Sequence, residues 1–199
     1  TAAVISMWVM NTATTIMLLP IGLAVITVVK ETVKGLSDQE IESFQLALLL
    51  GIAYGATIGG MSTLIGTGPN GMLAAFMADN YDLDISFVDW MKVGVPLSAV
   101  MLPSSWLILT RLIFKVEFET SQETKNLLST MKQELGKFEG AEFKVFVVFV
   151  LTALTWMLRT VLDDINGLEG LSDAGIAMIS ALFLFLLPSG DKVKRGALL

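Results

Sequence analysis

Residues 45–78 read QLALLLGIAYGATIGGMSTLIGTGPNGMLAAFMA and contain no charged side chain. As one straight helix they would measure about 51 Å, against a hydrocarbon core of roughly 30 Å, so the stretch must break. Seven of the chain's 17 glycines lie between Gly51 and Gly71, ending in GGMSTLIGTGPNG, which predicts the break at Gly59 to Asn70. Backbone that is not helical at membrane depth is tolerated only where protein covers it or it lines a water-filled cavity. The break is therefore a candidate binding site.

The rest of the chain is organised the same way. Hydrophobic residues make up 54% of it and charged residues 16%, with a mean hydropathy of +0.71, well beyond the roughly 45–50% apolar and 25% charged usage of soluble domains. Residues 2–29 (AAVISMWVMNTATTIMLLPIGLAVITVV) are apolar but interrupted by Asn11, Thr12, Thr14 and Thr15, with Pro20 further on. A polar loop at 30–43 follows, in which Ser37 and Glu40 have the spacing of a capping box for the next helix. Residues 93–114 form another span, with Pro96 and Pro103 expected to kink it. Residues 115–144 are polar, and Leu128, Met131, Leu135 and Phe138 recur at helical spacing, which predicts an amphipathic helix on the membrane surface. Apolar runs at 145–162 and 171–187 complete the set of spans.

Loop charge predicts the orientation, since cytoplasmic loops are enriched in Lys and Arg. Lys30, Lys34, six residues between Arg111 and Lys144, and Lys192, Lys194 and Arg195 fall on one side, and only Lys92 and Arg159 on the other. The first side is expected to be cytoplasmic. Thr1 lies inside an apolar stretch with no initiator Met or signal pattern before it, so the chain reads as an internal piece of a longer protein.

Composition also excludes whole classes of chemistry. With no Cys and no His, thiol nucleophiles, histidine bases and zinc sites are ruled out. No basic run interleaved with aromatics supports nucleic-acid binding. The net charge of -6 resides mainly in acidic groups between the apolar blocks and says little about partners. Lys92, Arg111, Lys144 and Arg159 sit at predicted span ends, where snorkelling to the interface explains them. Trp8, Trp90, Trp106 and Trp156 read as packing or interfacial anchors, and Asp163 and Asp164 as a solvated external loop.

Two interruptions about 50 residues apart carry more meaning than either alone. A single Asn-Thr pair, or a run of glycines, is explained as well by helix packing and back-bonded hydroxyls. Paired, they offer what a small anion and a cation need inside a membrane. Half-helix N-termini present N–H groups to carboxylates, while half-helix C-termini and unwound carbonyls hold sodium, as in secondary transporters with discontinuous helices. Ser6 lies one turn from the interruption at Asn11 and Thr12.

SMWVMNTATTIMLLPIG (Ser6 to Gly22) resembles the re-entrant hairpin of the divalent anion/sodium symporter family, which carries a Ser-Asn-Thr signature at its tip. GGMSTLIGTGPN (Gly59 to Asn70) resembles the unwound loop of that family's next, discontinuous helix. ISFVDWMKVGVPLSAVMLPSSWLILTR and LTALTWMLR are similar to it as well, so the resemblance covers most of the chain. It implies an all-α integral membrane fold forming one half of an inverted-repeat transporter. The transport-domain elements would be the re-entrant hairpin 1–29, the broken helix 45–78 and the helix 93–114. A cytoplasmic interfacial helix at 115–144 and scaffold-domain helices at 145–199 would follow. It implies a sodium site at Ser6, the position of Met10, Asn11 and Gly59, and substrate contacts from Asn11 and Thr12. Met10 stands where the family has Ser, leaving a carbonyl but no hydroxyl there. The second Ser-Asn-Thr hairpin and second broken helix of the family are not in this sequence.

The function so implied is sodium-coupled symport of C4-dicarboxylates of the succinate, malate and fumarate class, by alternating access. The protein would be a homodimeric, multi-pass cell-membrane protein, with sodium as coupling ion ordering the hairpin tip and the 59–70 loop. A sodium-independent dicarboxylate exchanger or a sulfate carrier of the same fold is the alternative. An intramembrane enzyme would need a nucleophile with a base, or a metal cluster, and no His, Cys, Asp or Glu lies inside the predicted spans. A purely structural membrane module remains the third reading.

Overall fold

The computed structural model describes residues 1–33, 35–114, 126, 129–130, 140–162 and 172–187. Among these, every regular element is helical: α1 (Ala2–Ser6), α2 (Asn11–Thr32), α3 (Asp38–Met61), α4 (Gly68–Tyr81), α5 (Phe87–Leu107) with a π-helical continuation (Ile108–Ile113), α6 (Gly140–Leu162) and α7 (Asp173–Leu186). The chain forms two compact units, Thr1–Leu135 and Gly136–Leu199.

In the first unit the helices are inside-out relative to a water-soluble protein. Ser6, Thr14, Ser62, Thr63, Asn70 and Ser98 are buried, whereas Ile16, Met17, Ile21, Val93, Val100 and Leu112 are exposed. Burying polar groups while exposing apolar ones is favourable only when the surroundings are hydrocarbon. Helices 11–32, 38–61, 87–113 and 140–159 are long and apolar enough to cross a bilayer, and α7 is a shorter apolar helix.

Small residues set the packing. Gly55 and Gly59 stand four apart on α3 and receive α1: a Cβ on Gly55 would lie 3.3 Å from that of Ala2, and one on Gly59 would run into the backbone of Ala3. Close approach through such a seam is how membrane helices gain van der Waals contact without a hydrophobic driving force. Gly22 plays the same part for α2, against Ile52 of α3.

Helix starts follow the sequence closely. Ser37 and Glu40 form the predicted capping box, with Glu40 N donating to Ser37 Oγ at 3.3 Å and Ser37 N donating to Glu40 Oε2 at 2.8 Å. Ser86 caps α5 by accepting from Asp89 N at 3.2 Å. Both are worth about 1 kcal/mol. The predicted break in 45–78 is present: α3 ends at Met61 and α4 starts at Gly68.

Two expectations shift. The first interruption lies at 7–10, before the polar cluster, and Asn11, Thr12, Thr14 and Thr15 occupy the opening turns of α2. The hydroxyls of Thr14 and Thr15 bond back to the Val9 and Asn11 carbonyls, so they belong to a helix start rather than to unwound chain. α2 continues through Pro20 and α5 through Pro96 and Pro103, and α5 leaves α geometry at 108–113. The predicted surface helix lies almost entirely outside the described residues, and its final residues, 140–144, open α6 instead. Lys34, the Asp163 and Asp164 pair and the 192–195 charges also lie outside them.

The second unit is a helix pair. Thr152 Oγ1 donates to Ser180 Oγ at 2.8 Å and Trp156 Nε1 to the Asp173 carbonyl at 3.0 Å. Arg159, expected to snorkel, instead pairs with Asp173 at 3.3 Å.

Candidate functional site

Ser6 ends α1 and is fully buried. Its hydroxyl donates to Asn11 Oδ1 at 2.7 Å and lies 3.4 Å from the Val9 carbonyl. The chain turns through residues 7–10 and restarts at Asn11, with Met10 as N-cap in an extended conformation (φ −49°, ψ 140°). Thr14 Oγ1 donates to Val9 O at 3.3 Å and Thr15 Oγ1 to Asn11 O at 2.8 Å. α2 has no side-chain cap, so N–H groups of its first turn remain available to a ligand. Thr12 stands exposed on that turn.

The break after α3 faces the same turn. Thr63 Oγ1 donates to the Met7 carbonyl, tying the loop to the first interruption. A Cβ on Gly60 would overlap Asn11 Oδ1, and one on Gly66 would lie 2.5 Å from Gly60 O and 2.9 Å from Ser6 O. Only glycine allows this approach, which is the physical reason two glycines stand at 59–60 and another at 66. Asn70, in the first turn of α4, reaches back and donates from Nδ2 to Gly60 O at 3.0 Å and Thr63 O at 2.7 Å. α4, like α2, has no side-chain cap.

The structure therefore brings together Ser6, Asn11 and the Gly59–Gly60 turn. Gly59 O accepts from Ser62 N at 2.9 Å, with its second lone pair uncommitted to any described hydrogen bond. Met10 is at the same turn, but its side chain is 63% exposed and its carbonyl accepts from Thr14 N at 2.9 Å. Thr12 lies next to Asn11 without a described bond to the loop.

Five residues to which sequence reasoning assigned no individual role in the site complete the arrangement: Ser62, Thr63 and Asn70 of the predicted break, Trp90, read as a packing or interfacial anchor, and Ser98. Trp90, Gly94 and Ser98 recur every four residues and so share one face of α5. Trp90 Nε1 donates to Met61 O at 3.0 Å, a Cβ on Gly94 would lie 2.7 Å from the carbonyls of Met61 and Ser62, and Ser98 Oγ donates to Ile58 O at 2.8 Å. Ser62 Oγ donates to Ser98 Oγ at 2.7 Å. That periodicity was available in the sequence, as a polar stripe on an otherwise apolar span.

The site is neutral throughout. Residues 1–29 and 44–78 carry no Asp, Glu, Lys, Arg or His, and no cluster of three His, Cys, Asp or Glu exists among the described residues. Hydroxyl, amide and carbonyl oxygens suit a hard monovalent cation, while uncapped helix N-termini suit an anion.

Comparison with known proteins agrees with this chemistry. The family model described as citrate transporter (CitMHS) matches residues 1–194. The sodium-dependent dicarboxylate transporter SdcS of Staphylococcus saprophyticus is 36% identical over 193 residues, covering 96% of this chain and 37% of that protein. The protein of the same name from Staphylococcus aureus strain USA300 is 34% identical with the same coverage. The chain thus spans little more than a third of the length of these relatives. Its resemblance to sodium-coupled carboxylate carriers is borne out, and with its membrane-crossing helices it is a multi-pass protein of the cell membrane: the chain belongs to the citrate transporter family, a family of transporters and not of enzymes.

Proposed function

We propose that the protein is a secondary transporter that carries C4-dicarboxylates across the membrane together with sodium, by alternating access. One observation carries this reading: an uncharged, buried cluster, Ser6 with Asn11 against Gly59 and Gly60, beside two uncapped helix starts. A dianion placed there without a cation would meet a large desolvation penalty. With no Lys or Arg in these segments, a co-bound sodium is the group that offsets it.

In this mechanism sodium is held by Ser6 Oγ, Asn11 Oδ1 and the carbonyls of Gly59 and Met10. Asn11 and Thr12, with first-turn N–H groups of α2, receive a substrate carboxylate. Ser6 has only to rotate its hydroxyl proton away from Asn11 for both oxygens to face a cation. Residues 1–29 act as a re-entrant hairpin in one of two inverted repeats, and the other repeat supplies the rest of the site. Residues 1–114 move as part of a transport domain against a scaffold that includes α6 and α7 and forms the homodimer contact. The separation of Thr1–Leu135 from Gly136–Leu199 as compact units supports that division. Sodium-driven transport is also what the relatives' names describe.

Uptake of labelled succinate by the full-length protein in liposomes, with and without a sodium gradient, tests this. Sodium-dependent uptake that Asn11→Ala abolishes is the expected result. Counterflow indifferent to sodium points to an exchanger of the same fold, favoured by the absence of a hydroxyl at Met10. No carboxylate transport under any gradient sinks the assignment.

A further inference from the structure

A helix that ends inside a membrane leaves carbonyls without partners, and in a sodium site those carbonyls are usually thought of as waiting for the ion. The end of α3 is different. Ile58 O accepts from Ser98 Oγ, Gly59 O from Ser62 N, Gly60 O from Asn70 Nδ2, Met61 O from Trp90 Nε1, and Thr63 O again from Asn70 Nδ2. Donors from α4 and α5 thus account for all but the Gly59 bond. Asn70 is 7% and Ser98 3% exposed, so neither has water to fall back on. Asn70 bridges two carbonyls across the loop, and Ser98 joins the last turn of α3 to Ser62.

From this we infer that Ser98 and Asn70 are positioning residues which build the α3 break before sodium arrives. Neither touches the ion or substrate. Ser98 fixes the Ile58 carbonyl, Asn70 the Gly60 carbonyl, and between them the Gly59 carbonyl is held in place for coordination. Ordering by sodium is then confined to the 7–10 turn, while the 59–70 loop keeps its shape with or without the ion. The inference rests on the sodium-site reading above for its kinetic consequence, but its structural half can be measured independently.

The sequence has no cysteine, and Gly68, the first residue of α4 at the edge of the break, is exposed, with nothing within 4 Å of an added Cβ. Gly68→Cys, in full-length protein with any other cysteine replaced, reports loop order through its rate of maleimide labelling. Equal rates in sodium and in choline are expected, with Ser98→Ala and Asn70→Ala labelling faster in choline. In transport, Ser98→Ala should raise the sodium concentration for half-maximal uptake roughly tenfold, the loss typical of removing a group that orients a metal ligand. The succinate KM at saturating sodium should stay near wild type, and Ser98→Thr should restore most of the loss. Asn70→Asp keeps the side chain's shape but removes the two donated bonds, and covers the case in which an alanine variant fails to fold. A reporter that sodium slows many-fold in otherwise unaltered protein overturns the inference, as does Ser98→Ala with unchanged labelling and sodium dependence. If wild-type uptake ignores sodium, the transport reading fails while the labelling comparison still decides this one.

Discussion

At the break between α3 and α4, buried carbonyls accept from side chains on two other helices. At the turn between α1 and α2, the Met7 and Val9 carbonyls accept from Thr63 and Thr14, but Met10 is 63% exposed, Thr12 is exposed, and the helix start has no side-chain cap. Both interrupt a membrane helix, but the first is braced by donors from two other helices, while the second, tied to the loop at Met7, keeps open hydrogen-bonding capacity at its helix start. The contrast suggests a division of labour in which a rigid floor, 58–70, presents fixed carbonyls and a more open tip, 7–12, meets the ligand. It also shows why the glycines and the Asn-Thr pair are needed together: Gly60 leaves the space that Asn11 fills.

That contrast can be broken most directly at its contact point. Gly60→Ala puts a methyl group where Asn11 Oδ1 stands, and displacement of about 1 Å at a preorganised site costs roughly 100-fold. Sodium-driven uptake should fall to near background while the protein still reaches the membrane, as surface labelling would check. Survival of uptake would mean that tip and floor do not meet in the working protein. A smaller effect belongs to the tip alone. Thr12→Ala removes a hydrogen bond to a charged ligand, worth about 1.5–3 kcal/mol, and should raise the succinate KM by roughly tenfold or more without moving the sodium half-saturation. A shift in sodium dependence instead would reassign Thr12 to the cation. The smallest effect is expected at Met10, which offers only its carbonyl: Met10→Ala should change the sodium half-saturation by no more than about twofold, within the ±0.5 kcal/mol of an exposed substitution. A larger change would give the thioether a part in the site.

Much of the fold was legible because membranes impose it. The length of 45–78 forced a break, the glycines placed it, and Ser37 with Glu40 announced the start of α3. Ser6, Asn11 and Gly59 were named together only because their stretches resemble a known family, and the structure sets Ser6 and Asn11 beside the Gly59–Gly60 turn. The position of the first interruption was misread by a few residues, because polar side chains in an apolar run signal either a break or a helix start, and back-bonded threonines make the second. What Asn70, Trp90 and Ser98 do stayed hidden for another reason. Their role depends on which carbonyls they meet, and Ile58 O lies 40 residues from Ser98 along the chain.

The amino-acid sequence by itself determined that this protein lives in a membrane, that two of its helices are interrupted, and that its site must work with neutral oxygens, since the residues for any other chemistry are absent there. Only the tertiary structure decided which interruption is braced and which is open. Composition and spacing fix what a segment can bury and where it must bend, but a buried carbonyl is satisfied by whichever donor the packing of distant helices brings within 3 Å, and that is set by the close approach of α1, α4 and α5 to the end of α3.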